Sequence, residues 1–184
     1  MRLILVRHPA PHIDNGICYG RSDVAVAPEE MAKIRIALQT ALPAHVPLYA
    51  SPLRRCTELA SSLARELPAS GLQLDARLAE MDFGSWEMQP WHAIARAEID
   101  AWAADMAHYR PGGGENVLAI ATRVAAFLRD LLREQHATAV IVCHAGTIRL
   151  LCALQAGLPL EETALLAASS AHKIAYGAAL SIDF

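Results

Sequence analysis

The sequence has 184 residues, of which 54% are hydrophobic, and its formal net charge at pH 7 is −3. This length and apolar content suit one ordinary domain with one core, so we expect a single domain over residues 1–184. Because charges of both signs are spread along the chain, the sequence excludes a basic nucleic-acid-binding stripe and favours a small-molecule partner.

Four short apolar runs rich in Leu, Val and Ile predict buried strands. They cover residues 3–6, 48–50, 72–75 and 139–143. The first run is too short for the core of a signal peptide or for a membrane span. We therefore expect a cytoplasmic protein that does not associate with membranes.

Longer stretches rich in Ala, Leu and Arg alternate with these runs and predict helices. They cover residues 29–42, 54–67, 91–107 and 117–133, and a further helix begins within residues 147–156. Since strands and helices alternate, the sequence predicts an α/β fold around a mostly parallel sheet.

Two segments depart from this alternation. Residues 83–115 contain a Pro-Gly-Gly-Gly cluster that indicates a loop, and we expect this segment to form a lid-like insertion. Residues 164–184 are rich in small residues, and within them residues 173–176 and 179–182 predict edge strands that could be antiparallel.

Side chains with catalytic potential follow the predicted strands. Arg7 and His8 follow the first strand, Arg55 lies soon after the second, Glu80 lies after the third, and His144 directly follows the fourth. Because ligands of open α/β sheets bind beyond the carboxyl ends of the strands, we expect these five side chains to meet at one edge of the sheet.

These residue types fit phosphoryl transfer without a metal or a cofactor. A histidine can attack phosphorus directly, which makes His8 the candidate nucleophile. The donors of Arg7 and Arg55, with those of His144, could hold the phosphoryl oxygens. Glu80 could protonate the leaving alkoxide and then take a proton from the water that attacks the phosphohistidine.

Each residue also has a structural interpretation. A histidine after a buried strand is commonly a hydrogen-bonded structural residue, a surface arginine is usually solvated, and Glu80 could cap the following turn. The joint placement of all five side chains favours catalysis over these separate interpretations.

Five segments resemble motifs of the histidine phosphatase superfamily, which contains cofactor-dependent phosphoglycerate mutases, fructose-2,6-bisphosphatases and α-ribazole phosphatases. The segments read LILVRHPAPH, SPLRRC, LAEMDFGSWEM, PGGGEN and VIVCHAGTIR. The resemblance implies a three-layer α/β/α fold with helices on both faces of the sheet, as in phosphoglycerate mutases. It also implies that His8 is phosphorylated and that Glu80 donates the proton. Arg7, Arg55 and His144 would then surround the phosphoryl group.

Within this family, the short chain and the WEM sequence look most like α-ribazole phosphatases, which dephosphorylate a nucleotide-loop precursor in cobalamin biosynthesis. The resemblance therefore implies a phosphatase that acts on α-ribazole 5′-phosphate. A phosphatase or mutase acting on another small phosphorylated metabolite is the alternative, and the absence of a long mutase-type insertion favours hydrolysis.

The chain departs from the family pattern after the nucleophile, where Pro-Ala-Pro at residues 9–11 replaces Gly-Glu-Thr. Proline has no backbone N–H, so a donor and a hydroxyl near the phosphate are lost. We expect Asn15 and Arg21 to replace some of these contacts, and we expect Ala145 to contact the substrate as well. The resemblance implies a structural role for Glu87.

Three other hypotheses are open. Cys143 and Arg149 fit the pattern Cys-x5-Arg, in which a thiolate attacks phosphorus, but this leaves Arg7, His8, Arg55 and Glu80 unexplained. A metal hydrolase is disfavoured because the sequence has no His-Glu-x-x-His helix. A non-catalytic module that binds phosphorylated ligands would follow if Pro9 had disabled transfer, although the intact histidines argue against it.

The remaining cysteines and the tryptophans have structural interpretations. No two cysteines form a Cys-x-x-Cys pair, so we expect Cys18, Cys56, Cys143 and Cys152 to be free thiols. Helical spacing predicts that the tryptophans are core anchors rather than a wall of the site. They are Trp86, Trp91 and Trp102.

Overall fold

The computed structural model describes residues 1–66, 71–169 and 174–184. The strands are β1 (Arg2–Arg7), β2 (Leu48–Ala50), β3 (Leu72–Leu74), β4 (Thr138–Cys143) and β5 (Ala179–Asp183). They form one sheet in the order β3-β2-β4-β1-β5. All neighbouring pairs are parallel except β1 and β5, which are antiparallel.

Helices cover both faces of this sheet. They are α1 (Pro28–Ala41), α2 (Arg54–Glu66), α3 (Arg96–Ala104), α4 (Val117–Arg133), α5 (Ala145–Leu154) and α6 (Leu160–Ser169). No helix within the three described ranges is both long enough and apolar enough to cross a bilayer.

The strand sequences explain the three layers, because successive side chains of a strand point to opposite faces. In β1, Leu3 and Leu5 pack into the core formed with α4, α5 and α6, whereas Val6 packs into the core formed with α1 and α2. In β4, Ile141 and Val142 divide between the two cores in the same way. The predicted three-layer α/β/α fold is therefore confirmed.

The strand predictions agree with the structure, and the edge strand at residues 179–182 is present as antiparallel β5. Residues 174–176 are not a strand, and Lys173 lies outside the described residues, as does Leu67 at the end of the second predicted helix.

Two helix predictions need correction. The single helix predicted over residues 91–107 is a 3₁₀ turn at Trp91–Ala93 followed by the shorter α3, because the backbone at Ile94 and Ala95 is not helical. Helix α6 was not predicted, because its run of Leu and Ala shows little apolar periodicity.

Candidate active site

The parallel register brings the ends of β1, β2 and β4 together. Arg7 pairs with Cys143, and Ala50 pairs with Val142. The backbone N–H of His8 donates to the Cys143 carbonyl at 3.0 Å. His8 and His144 therefore lie side by side, with 5.1 Å between their ring centroids.

His8 is held in one tautomer. Its Nδ1 lies 2.7 Å from the Pro9 carbonyl oxygen, and because a carbonyl can only accept, Nδ1 carries the proton and Nε2 has a free lone pair. Burial and the nearby Arg55 charge lower the pKa of His8 to about 3, so the imidazole is neutral at pH 7. The proline at position 9 costs an N–H donor, but it keeps the carbonyl that orients the ring.

His144 is fully buried beside His8. Its Nε2 lies 2.7 Å from the Ser51 hydroxyl and 3.5 Å from the Cys56 sulfur. Burial, followed by the charge of Arg55, lowers its pKa well below the usual range. The strand ends thus present two neutral imidazoles next to cationic groups.

Two arginines flank these imidazoles. Arg55 is fully buried and donates to the backbone carbonyls of Gly20 and Ser22. Arg7 donates to the Ile174 carbonyl. The Nε atoms of both arginines are buried and have no hydrogen-bond partner within the described part of the chain. Buried cations with unused donors attract an anion, and phosphate oxygens suit the guanidinium fork.

Glu87 builds the loop that holds Arg55. Its carboxylate accepts from the N–H groups of Gly20, Arg21 and Ser22 at 2.9–3.1 Å, and from the Ser22 hydroxyl. Burial opposes ionisation, but the hydrogen bonds from Ser22 and from the backbone outweigh it and lower the pKa of Glu87. The structural role expected for Glu87 therefore has a physical basis, because the same loop presents the carbonyls that bind Arg55.

Glu80 lies at the N-terminus of α5. Its Oε2 accepts from the N–H of Gly146 at 3.1 Å, and its Oε1 accepts from its neighbour Met81 at 3.0 Å. Arg123 donates to the Glu80 carbonyl at 3.1 Å and to the Ala79 carbonyl at 2.7 Å, so the backbone is also fixed. The carboxylate is thus held at one position at the edge of the site.

Two tyrosines that the sequence analysis did not identify lie over the arginines. The Tyr19 and Tyr176 hydroxyls are 2.7 Å apart. The Tyr176 ring lies 3.7 Å from the Arg7 guanidinium carbon, and the Tyr19 ring lies 5.5 Å from that of Arg55. No local pattern pairs residues 157 positions apart, so only the fold reveals this bridge.

An apolar cavity of about 540 Å³ opens beside Glu80. Trp91 and Trp102 are part of its wall, and their rings are nearly parallel, with an angle of 6° between them. Trp86 is buried, as predicted, and Trp102 packs against the same small cluster while it also lines the cavity. The core-anchor prediction is wrong for Trp91, which is 37% exposed because it lies on the 3₁₀ turn before α3.

The three residues predicted to bind substrate have fewer contacts with the other residues of the site. Arg21 is exposed, and its guanidinium lies 3.7 Å from the Asp82 carboxylate. Asn15 is exposed. Ala145 is the first residue of α5, directly after His144. Their contacts with a substrate remain predictions.

The geometry does not favour the Cys-x5-Arg hypothesis. Cys143 is completely buried, and burial raises the pKa of its thiol well above the usual range, so it is a poor source of thiolate. Arg149 donates instead to the Ala168 carbonyl of α6. The four cysteines are free thiols, as predicted.

Comparisons with known proteins find a matching family model and several related phosphatases. The model of the histidine phosphatase superfamily (branch 1) matches residues 3–175. A candidate phosphoserine phosphatase 2 of Hydrogenobacter thermophilus is 29% identical over 166 residues, which cover 88% of this chain and 81% of that protein. An adenosylcobalamin/α-ribazole phosphatase of Escherichia coli K12 is 35% identical over 101 residues, which cover 53% of this chain and 48% of that protein.

A solved structure has the same fold over the whole chain. The crystal structure of the α-ribazole phosphatase from Shigella flexneri matches with a TM-score of 0.81 and 27% sequence identity. The match covers 100% of this chain and 90% of that one.

Proposed function

The chain belongs to the histidine phosphatase superfamily and is a phosphoric monoester hydrolase, and on that premise we propose that it acts through a phosphohistidine on His8. One observation carries the proposal. Because Nδ1 carries the proton and donates to the Pro9 carbonyl, Nε2 of His8 keeps a lone pair. Among the described residues this lone pair has no hydrogen-bond partner, and it lies near arginines whose buried Nε donors are also unused there. This combination provides a neutral nucleophile inside an anion-binding site.

In the first step, His8 Nε2 attacks phosphorus and the bond to the ester oxygen breaks. The leaving alkoxide takes a proton from Glu80, which becomes a carboxylate. Arg7, Arg55 and His144 stabilise the charge on the phosphoryl oxygens during the transfer.

In the second step, a water oxygen attacks the phosphohistidine while the Glu80 carboxylate takes one of its protons. The N–P bond breaks, inorganic phosphate leaves, and His8 regains its lone pair. The Pro9 carbonyl holds the ring throughout, so that the same nitrogen faces the phosphoryl group in each cycle. Neither step requires a metal or a redox group.

The substrate we favour is α-ribazole 5′-phosphate, which would place the enzyme in cobalamin biosynthesis. The cavity beside Glu80 has aromatic walls that suit a flat base, and relatives named as α-ribazole phosphatases support this assignment. Another small phosphorylated metabolite is the alternative. Phosphoserine, for example, carries two charged groups that an apolar wall solvates poorly.

The test is turnover of α-ribazole 5′-phosphate, p-nitrophenyl phosphate, 3-phosphoglycerate and phosphoserine by EDTA-treated enzyme. His8→Ala should lose activity on every substrate, whereas His12→Ala, which changes an exposed histidine four residues away, should not. The trapped phosphoenzyme should be labile to acid and stable to base. Full activity of His8→Ala would refute the mechanism, and strong turnover of 3-phosphoglycerate or phosphoserine alone would refute the substrate.

A further inference from the structure

Arg149 lies one helical turn from the Glu80 contact. Gly146, whose N–H binds the Glu80 carboxylate, and Arg149 are three positions apart on α5, so they share a face and are separated by about 4.5 Å along the helix axis. Both Glu80 and Arg149 line the apolar cavity, and they are the only charged side chains among its described lining residues.

The Arg149 guanidinium is only partly satisfied. Its Nη2 donates to the Ala168 carbonyl, and its Nε is buried without a hydrogen-bond partner in residues 1–66, 71–169 and 174–184. No carboxylate within those residues forms a salt bridge with it, whereas Arg123 is paired with Glu115. Burying a cation beside an apolar wall costs free energy while its N–H donors are unused, and a hydrogen-bond acceptor on a ligand would reduce that cost.

We propose that Arg149 forms a second polar subsite, which binds an oxygen acceptor on the alcohol portion of the substrate. This rests on the proposed function, because it takes Glu80 as the group next to the ester oxygen. The acceptor would lie about 4.5 Å beyond that oxygen, which corresponds to three or four covalent bonds. The substrate class is phosphomonoesters with a hydroxyl, ring oxygen or carboxylate at that distance.

The chemistry of arginine sets what the subsite accepts. A guanidinium only donates, so a substrate ammonium, which also only donates and carries a like charge, would be rejected there. The low dielectric of the cavity strengthens a hydrogen bond to oxygen. Losing such a charge-assisted bond corresponds to a roughly 10- to 100-fold loss in kcat/KM.

The test compares the substrates that have this acceptor with phenyl phosphate, which lacks it. α-Ribazole 5′-phosphate represents hydroxyl acceptors and 3-phosphoglycerate represents carboxylates. Arg149→Met should lower kcat/KM about 10- to 100-fold for at least one of these two, mainly through KM, while phenyl phosphate changes by less than about threefold. Arg149→Lys should restore part of the loss, and the control Arg129→Met, at an exposed arginine of α4, should retain the wild-type pattern.

Two outcomes would overturn the subsite. Equal losses on all three substrates, with a lower melting temperature, would make Arg149 only a tie between α5 and α6. Calorimetric binding of the phosphate-free alcohols α-ribazole and glycerate gives a readout that does not depend on His8, and unchanged binding of both by Arg149→Met would also reject the proposal. If wild type binds these alcohols through Arg149 yet forms no phosphoenzyme, only the proposed function fails.

Discussion

Gly146 offers a sharp test of Glu80, because the two residues are in direct contact. A Cβ atom built at position 146 would lie 2.4 Å from Glu80 Oε1, whereas ordinary contacts begin near 3.4 Å. Gly146→Ala therefore requires a shift of about 1 Å, and the flexible end of the glutamate side chain can provide it without moving the backbone.

We expect the Gly146→Ala substitution to change stability and activity in opposite directions. Alanine in place of glycine within a helix raises the free energy of unfolding by up to about 1 kcal/mol, or about 2–4 °C in melting temperature. Misplacing a proton donor by about 1 Å costs on the order of 100-fold in rate. We expect Gly146→Ala to fold normally, to slow alkyl phosphates about 100-fold, and to slow p-nitrophenyl phosphate by less than about tenfold, because its leaving group needs little protonation.

The assay is steady-state kcat on both classes of ester, together with thermal unfolding. A double-mutant cycle with Glu80→Gln supplies the control, because the alanine should have little further effect once the acid is gone. Equal slowing of both esters, or wild-type rates on alkyl phosphates, would refute the reasoning that Glu80 is the proton donor and that Gly146 makes room for it.

Two further predictions concern the groups around Arg55 and His8. Glu87→Gln should loosen the loop at residues 20–22 and release Arg55, because the loop loses the charged acceptor of its three N–H groups. The inhibition constant of inorganic phosphate should then rise at least about tenfold, and unchanged phosphate inhibition would contradict this link. The free energy of unfolding should fall as pH decreases from about 6.5 towards 3. The unfolded chain protonates His8 in that window while the folded chain does not, so the slope is up to about 1.4 kcal/mol per pH unit for this residue. Urea unfolding at pH 7 and pH 5 measures it, and a His8→Gln variant with an unchanged slope would show that other groups are responsible.

Local sequence patterns were sufficient to predict most of the strands and helices and to single out the five candidate catalytic side chains. Runs such as residues 139–143 identify strands because a strand buried on both faces must be apolar throughout. Since neighbouring strands are parallel, the residues that follow them meet at one edge of the sheet, and for this reason the sequence predicts that His8 and His144 lie at the same edge. Their rings are neighbours because β1 lies next to β4 in the sheet, which the sequence analysis did not predict. Helix α6 was missed because its apolar residues do not follow a helical period.

The rest of the site depends on contacts between distant segments, which have no local signature. Tyr19 and Tyr176 meet over the arginines, and Glu87 holds the loop that binds Arg55 across more than thirty intervening residues. The stacked Trp91 and Trp102 become a cavity wall only because the predicted helix is broken between them. Sequence patterns alone predict the candidate reactive groups and the edge of the sheet where they lie. Tertiary packing decided the burial of these groups, their unused donors and the shape of the cavity, because each of these depends on which atoms from distant parts of the chain exclude water around them.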